Sequence, residues 1–184
     1  VKGVLRFTMH SWASGALRSW EVPIEVEGAS AKQVYTSTLT DVLTKGECPE
    51  TDATKCVLTL DVFEGNSSAS GQLLSSNYLF LAPFFDVTTM VDPRLSVDSV
   101  ALVAPSSAFS EEDAAPSFEV EIGVHAITAF LWIETPIPGW WSDNGLLVTD
   151  TSQPLRLTFT PDVLKAPNVS AAQLHESFSQ KHGG

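Results

Sequence analysis

Glu119 and Glu121 stand two residues apart in an alternating run and are the side chains that most invite a chemical role. Two carboxyl groups about 5–5.5 Å apart can act as nucleophile and acid/base on an acetal carbon. Residues two apart on a strand project from one face about 6.5–7 Å apart, so the spacing alone admits the idea. The chemistry also needs a pocket that raises one of the two pKa values. A wet strand face supplies none, and alternating charge on a half-buried strand is ordinary patterning. The pair is read as solvated surface, and no catalytic residue is assigned in this chain.

Other chemistry-bearing residues give equally restrained readings. The histidines (His10, His125, His175, His182) are scattered, and no G-x-S-x-G nucleophile elbow accompanies them. His10, at the end of an apolar alternation, is expected to be a hydrogen-bonded structural residue. Ser142-Asp143-Asn144-Gly145 lacks the D-x-D-x-D spacing of a calcium loop. Its Asp and Asn suit a turn whose backbone they cap, and Gly145 suits a hairpin corner. No phosphate-cradling glycine loop is present, so no metal and no cofactor is assigned. Trp140 and Trp141 are adjacent, and on an extended segment they point to opposite sides. One ring is expected inside and the other out. Trp140 is the interface candidate. It could stack on a sugar ring, but packing against a neighbouring domain is the expectation.

Cys48 and Cys56 flank a Pro-Glu-Thr-Asp loop. No second Cys/His pair lies nearby with zinc-ligand spacing, so a disulfide closing a short loop fits better. Asn66-Ser67-Ser68 and Asn168-Val169-Ser170 are glycosylation sequons in polar segments. Together these favour the secretory pathway, and a secreted or lysosomal/vacuolar location is expected. The net charge of −12 makes nucleic acid a poor partner, because phosphate binding needs a clustered basic face. It suits a mildly acidic setting, where protonation relieves self-repulsion. The run Glu111-Glu112-Asp113 reads as solvated loop. No apolar run approaches the roughly 20 residues of a spanning helix, so no membrane partner is expected. A chain beginning at Val1 without a signal-like segment is expected to have been processed, cut or truncated.

The elements that must position these residues are strands. Phe118, Val120, Ile122 and Val124 alternate with polar residues or glycine, as do Leu155, Leu157 and Phe159, Leu5, Phe7 and Met9, and Leu58, Leu60 and Val62. Turn dipeptides such as Glu27-Gly28, Gly65-Asn66, Pro138-Gly139 and Asn144-Gly145 recur between them. The class expected is all-β, built as two immunoglobulin-like sandwiches. One helical turn near 38–43 and a short helix over 171–178 capped by Ser170 are the only helical expectations. The Gly/Asn/Ser-rich loop 64–70 places the boundary just after it: a first sandwich over 1–76, a second over 77–165 and a polar tail over 166–184. Five or so strands before residue 76 are few for a sandwich, which normally has about seven.

The run 129–147, AFLWIETPIPGWWSDNGLL, carries a family resemblance. An LWL-type strand followed by G-x-aromatic-S-D-N, here Gly139, Trp141, Ser142, Asp143 and Asn144, resembles the last domain of the β-mannosidases of glycoside hydrolase family 2. Ser76 to Leu81 looks like that family's N-Y-x-F-L segment, Met9-His10-Ser11-Trp12 is similar to its H-x-W segment, and Glu176-Ser177-Phe178 to its closing segment. Trp140 departs from the family, which often has a basic or small residue there.

The resemblance implies the C-terminal portion of a retaining exo-β-mannosidase acting on terminal, non-reducing β-D-mannose of manno-oligosaccharides or N-glycans. Its catalytic glutamates would lie in a (β/α)8 barrel outside this chain. The partner implied is that N-terminal part of the enzyme, in the same chain or as a separate cleaved one. Earlier strands supplied by it would complete the first sandwich. A free carbohydrate-binding module and a cell-surface adhesion sandwich are the competing readings, and fold alone does not separate them.

Overall fold

The computed structural model describes residues 2–28, 30–103 and 116–179, and the chain divides into two compact units, Val1–Val91 and Asp92–Gly184. The acidic run Glu111-Glu112-Asp113 and the terminal His182-Gly183-Gly184 lie outside the described residues.

In the first unit, β1 (Lys2–Ser11), β2 (Gly15–Glu25), β3 (Cys56–Glu64) and β4 (Leu73–Phe80) form one antiparallel sheet in the order β2-β1-β3-β4. The register aligns Leu5 with Val22 and Val62, and Phe7 with Trp20 and Leu60, so the alternation of three strands makes one apolar face. Phe7 stacks on Trp20 with ring centroids 5.1 Å apart. The opposite face mixes buried Val4, Val57 and Phe63 with polar side chains that pair across the strands. Arg6 Nη2 donates to Asp61 Oδ2 at 2.8 Å, and Ser76 Oγ donates to Asp61 Oδ1 at 2.7 Å.

Helix α1 (Leu39–Lys45) begins where Thr38 Oγ1 accepts the Asp41 N–H, and it buries Leu43 against the apolar face. Gly46 follows because a Cβ there would lie 2.6 Å from Met9 Cε. Cys48 and Cys56 are joined by a disulfide with Cα atoms 6.2 Å apart. Both are buried with Met9 and Leu58, so the bridge pins the turn-rich segment after α1 to the start of β3.

The second unit holds β5 (Ser96–Val103), β6 (Ser117–Gly123), β7 (Thr128–Leu131), β8 (Gly139–Trp141), β9 (Leu146–Val148) and β10 (Leu155–Pro161), followed by α2 (Ala171–Ser179). One sheet runs β5-β6-β10-β8 and a second pairs β7 with β9, all antiparallel. Phe118, Val120 and Ile122 of β6 and Leu157 and Phe159 of β10 meet Leu131, Val148 and Leu174 in one buried cluster. Each such side chain contributes on the order of 1.5–3 kcal/mol. Ser170 Oγ accepts the Gln173 N–H while Gln173 Oε1 accepts the Ser170 N–H, a reciprocal cap that starts α2 and aims Leu174 at the core.

The all-β class read from the sequence is the class observed. Several boundaries differ. The segment 64–70 is the β3–β4 connection and not a linker: β4 pairs with β3 from Val57↔Phe80 to Phe63↔Leu73. The first unit therefore runs past residue 76 to Val91. It holds four described strands where five or so were expected. The stretch 166–179 is no separate tail, because α2 seats Leu174 and Phe178 on the second core. The LWL-type strand, β7, ends at Leu131, before Trp132, for a reason that lies in the corner described next.

Candidate functional site

Asn144 explains the short β7. Its amide takes the place of a neighbouring strand: Ile133 N–H donates to Oδ1 at 2.7 Å, and Nδ2 donates to the Ile133 carbonyl at 2.9 Å. Gly145 N–H then donates to the Leu131 carbonyl at 2.9 Å, with Gly145 at φ +71°, a conformation open to glycine. Ser142 is fixed in a similar way. Its N–H donates to the Thr158 carbonyl at 2.8 Å, and its Oγ accepts the Thr158 N–H at 3.0 Å. Asp143 Oδ1 accepts the Asn144 N–H at 2.8 Å. Gly139 is required by packing, since a Cβ there would lie 2.5 Å from Phe159 Cζ and from the Thr160 carbonyl oxygen. Gly139, Ser142, Asp143, Asn144 and Gly145 thus close a corner between β7, β8 and β9. Among the described residues no group of three or more His, Cys, Asp or Glu could hold a metal ion.

The two adjacent tryptophans part as their strand requires. Trp141 is half-buried, with its ring 5.0 Å from Phe159 and 6.0 Å from Phe178. Trp140 is 60 % exposed. It lines an open cleft of about 550 Å³ together with Trp132, Glu134 and Asp143. Trp132 is 65 % exposed, and its indole N–H donates to Glu134 Oε1 at 3.3 Å. The sequence reading missed Trp132. The signal was present in strand parity: Leu131 and Ile133 face inward, which turns Trp132 and Glu134 to the wet side.

The other residues singled out from the sequence lie elsewhere. Glu119 and Glu121 are held by Arg156, whose Nη2 lies 2.8 Å from Glu121, and Ser99 Oγ donates to the same carboxylate at 2.8 Å. His10 is buried, with Nε2 3.1 Å from Thr59 Oγ1. Its imidazole is held below the usual histidine pKa by burial, against the nearby Asp61 carboxylate and with the help of Arg6. Asn66 and Asn168 are both exposed. No helix among the described residues is long and apolar enough to cross a membrane.

Comparison with known families covers nearly the whole chain. The model of the mannosidase Ig/CBM-like domain matches residues 1–85, and that of the mannosidase Ig-fold domain matches residues 90–182. No curated protein matches the chain. The junction between the two matched segments falls beside the division between the two structural units. With immunoglobulin-like domains in both halves, this chain belongs to the C-terminal region of the β-mannosidases of glycoside hydrolase family 2.

Proposed function

We propose that this chain is the accessory sandwich portion of a retaining exo-β-mannosidase, an enzyme that removes terminal, non-reducing β-D-mannose. The consecutive match of two mannosidase domain families over residues 1–85 and 90–182 carries this reading. The nucleophile and the acid/base would be carboxylates of a catalytic (β/α)8 barrel outside this chain, acting through a covalent glycosyl-enzyme. The sandwiches would support that barrel and border the approach to it. Mannosides or N-glycans would be substrates of the whole enzyme.

The first unit supports a supporting role. Its apolar sheet face opens beside Leu60, Leu79 and Leu81 into a cleft of about 490 Å³, and Leu79 is 52 % exposed. Further strands of the enzyme would cover this face. A secreted or lysosomal/vacuolar location is part of the same reading, supported by the buried Cys48–Cys56 bridge and the exposed sequons at Asn66 and Asn168. A mass loss on enzymatic deglycosylation, absent from N66Q/N168Q, checks the glycans.

Native mass spectrometry of the protein purified from its source, with aryl β-mannoside hydrolysis assayed on the same material, tests the function. The expected result is an active species much heavier than 19.8 kDa that contains this chain. A lone, inactive species of 19.8 kDa overturns the reading and favours a stand-alone carbohydrate-binding module.

A further inference from the structure

We infer that the Trp132–Trp140 cleft is a binding subsite for a neutral β-linked oligosaccharide, with the two indoles as stacking platforms and Asp143 as a hydroxyl acceptor. The naming of a β-mannoside as its ligand rests on the proposed function; the subsite itself rests on the geometry of the corner.

Three observations carry the inference. The first is the pairing of two tryptophans, 65 % and 60 % exposed, around one open cleft. Indole surface is costly to leave in water, and a pyranose offers it a matching patch of axial C–H bonds on one ring face. The second is that both platforms rise from fixed backbone. Trp132 is oriented by its hydrogen bond to Glu134 and follows the clamp that Asn144 puts on Ile133. Trp140 sits in β8, opposite Thr160 of β10, beside the half-buried Trp141. Backbone fixed in advance reduces the ordering cost of binding to that of the side chains. The third is charge. Glu134 and Asp143 line the cleft, and none of its described lining residues is cationic. Anionic ligands are disfavoured, whereas the hydroxyl groups of a neutral sugar donate to carboxylates. The volume of about 550 Å³ lies within the range of small-ligand sites, about 300–1,000 Å³.

The same charges argue against the packing role expected for Trp140 from the sequence. A partner protein that buried the indole would also bury Asp143 and would have to bring a cation to pair with it. A sugar chain leaves the cleft wet and meets those oxygens with hydroxyl groups.

The test is isothermal titration of the 184-residue chain with β-1,4-mannohexaose, repeated on W132A, W140A and D143N. Near-UV circular dichroism confirms that Trp141 and its aromatic neighbours remain packed in each variant. The expected result is saturable binding that weakens about tenfold or more in W132A and in W140A, and by a smaller factor in D143N. An oligogalacturonide of equal length should not compete. Absence of saturable binding, or binding that both tryptophan variants retain, overturns the inference. D143N is the safeguard should a tryptophan variant misfold: the amide keeps one acceptor oxygen but loses the charge, so unchanged affinity there overturns the charge-assisted contact proposed for Asp143. Failure of this subsite and failure of the mannosidase reading are distinguishable: a heavy, active enzyme whose accessory chain does not bind mannohexaose sinks only the former. A chain that binds it but comes from an inactive, lone species sinks only the latter.

Discussion

Asn144 grips Ile133 by both of its backbone groups, accepting the N–H at 2.7 Å and donating to the carbonyl at 2.9 Å across eleven residues of chain. The side chain acts as one more strand position at the point where β7 has ended. This contact turns the Ser-Asp-Asn-Gly run from a loop into a closed corner, and it sets where Trp132 stands.

Asn144→Ala should therefore loosen the second unit. Two hydrogen bonds vanish and the Ile133 N–H loses its partner, a loss of about 2–4 kcal/mol in unfolding free energy. Asn144→Asp restores the acceptor but not the donor and should recover part of the loss. Urea titration followed by tryptophan fluorescence measures both. A midpoint unchanged in the alanine variant would show that the clamp contributes nothing.

That clamp also marks the limit of what the sequence made legible. The alternations at 118–124 and 155–160 gave β6 and β10 directly, because each strand turns one face to a core and the other to water. Strand β4 carries no such imprint, since every residue from Leu73 to Leu79 is exposed, and its place in the first sheet is decided by its pairing with β3. A loop rich in glycine, asparagine and serine reads alike whether it joins two domains or two paired strands. Trp132 was obscured because its run resembles a core strand, and its outward parity follows only once Leu131 and Ile133 are known to face inward. The disulfide was legible because the two cysteines flank a short loop and no second Cys/His pair lies near them with zinc-ligand spacing.

Breaking that bridge gives a second prediction. The Cys48–Cys56 link closes a short loop, and loop-closure entropy assigns it about 2–3 kcal/mol. Both residues are buried beside Met9 and Leu58, so C48A/C56A also leaves space in the first core. The melting transition of the first unit should fall by roughly 10–20 °C, while that of the second unit stays within a degree or two. Calorimetry resolves the two transitions, and equal shifts in both would contradict the confinement of the bridge to one unit.

His10 supplies a pH dependence. Burial depresses its folded-state pKa, Asp61 opposes the shift, and Arg6 adds to it. The unfolded chain takes up its proton first as the pH falls below about 6.5. The stability linked to His10 is thus complete above that value and declines as the pH drops toward the folded-state pKa. His10→Asn keeps a hydrogen-bonding side chain for Thr59 and removes the titration. The variant should show a flatter stability profile than the parent between pH 7 and pH 5, measured by urea unfolding at fixed ionic strength. Parallel profiles would assign the loss to other groups.

Strand β4 frames the last prediction. It is one of the two edges of the first sheet, with β2 the other, and Leu73, Leu74, Tyr78 and Leu79 are exposed along it. An edge with that much apolar surface is an open template for pairing, which natural proteins cover. In the isolated chain β4 should open without global unfolding, so its amides exchange soonest among the four strands of its sheet. Strands β1 and β3, flanked on both sides, and β6 and β10 over the second core should be the most protected. If the chain is part of a larger mannosidase, as proposed, the β4 amides should gain protection there as further strands cover the face beside Leu79. Hydrogen exchange read by mass spectrometry compares the two states. Protection of β4 that is uniform with β1 in the isolated chain would show that this sheet is complete as it stands, and that the sandwich needs nothing more from its parent enzyme.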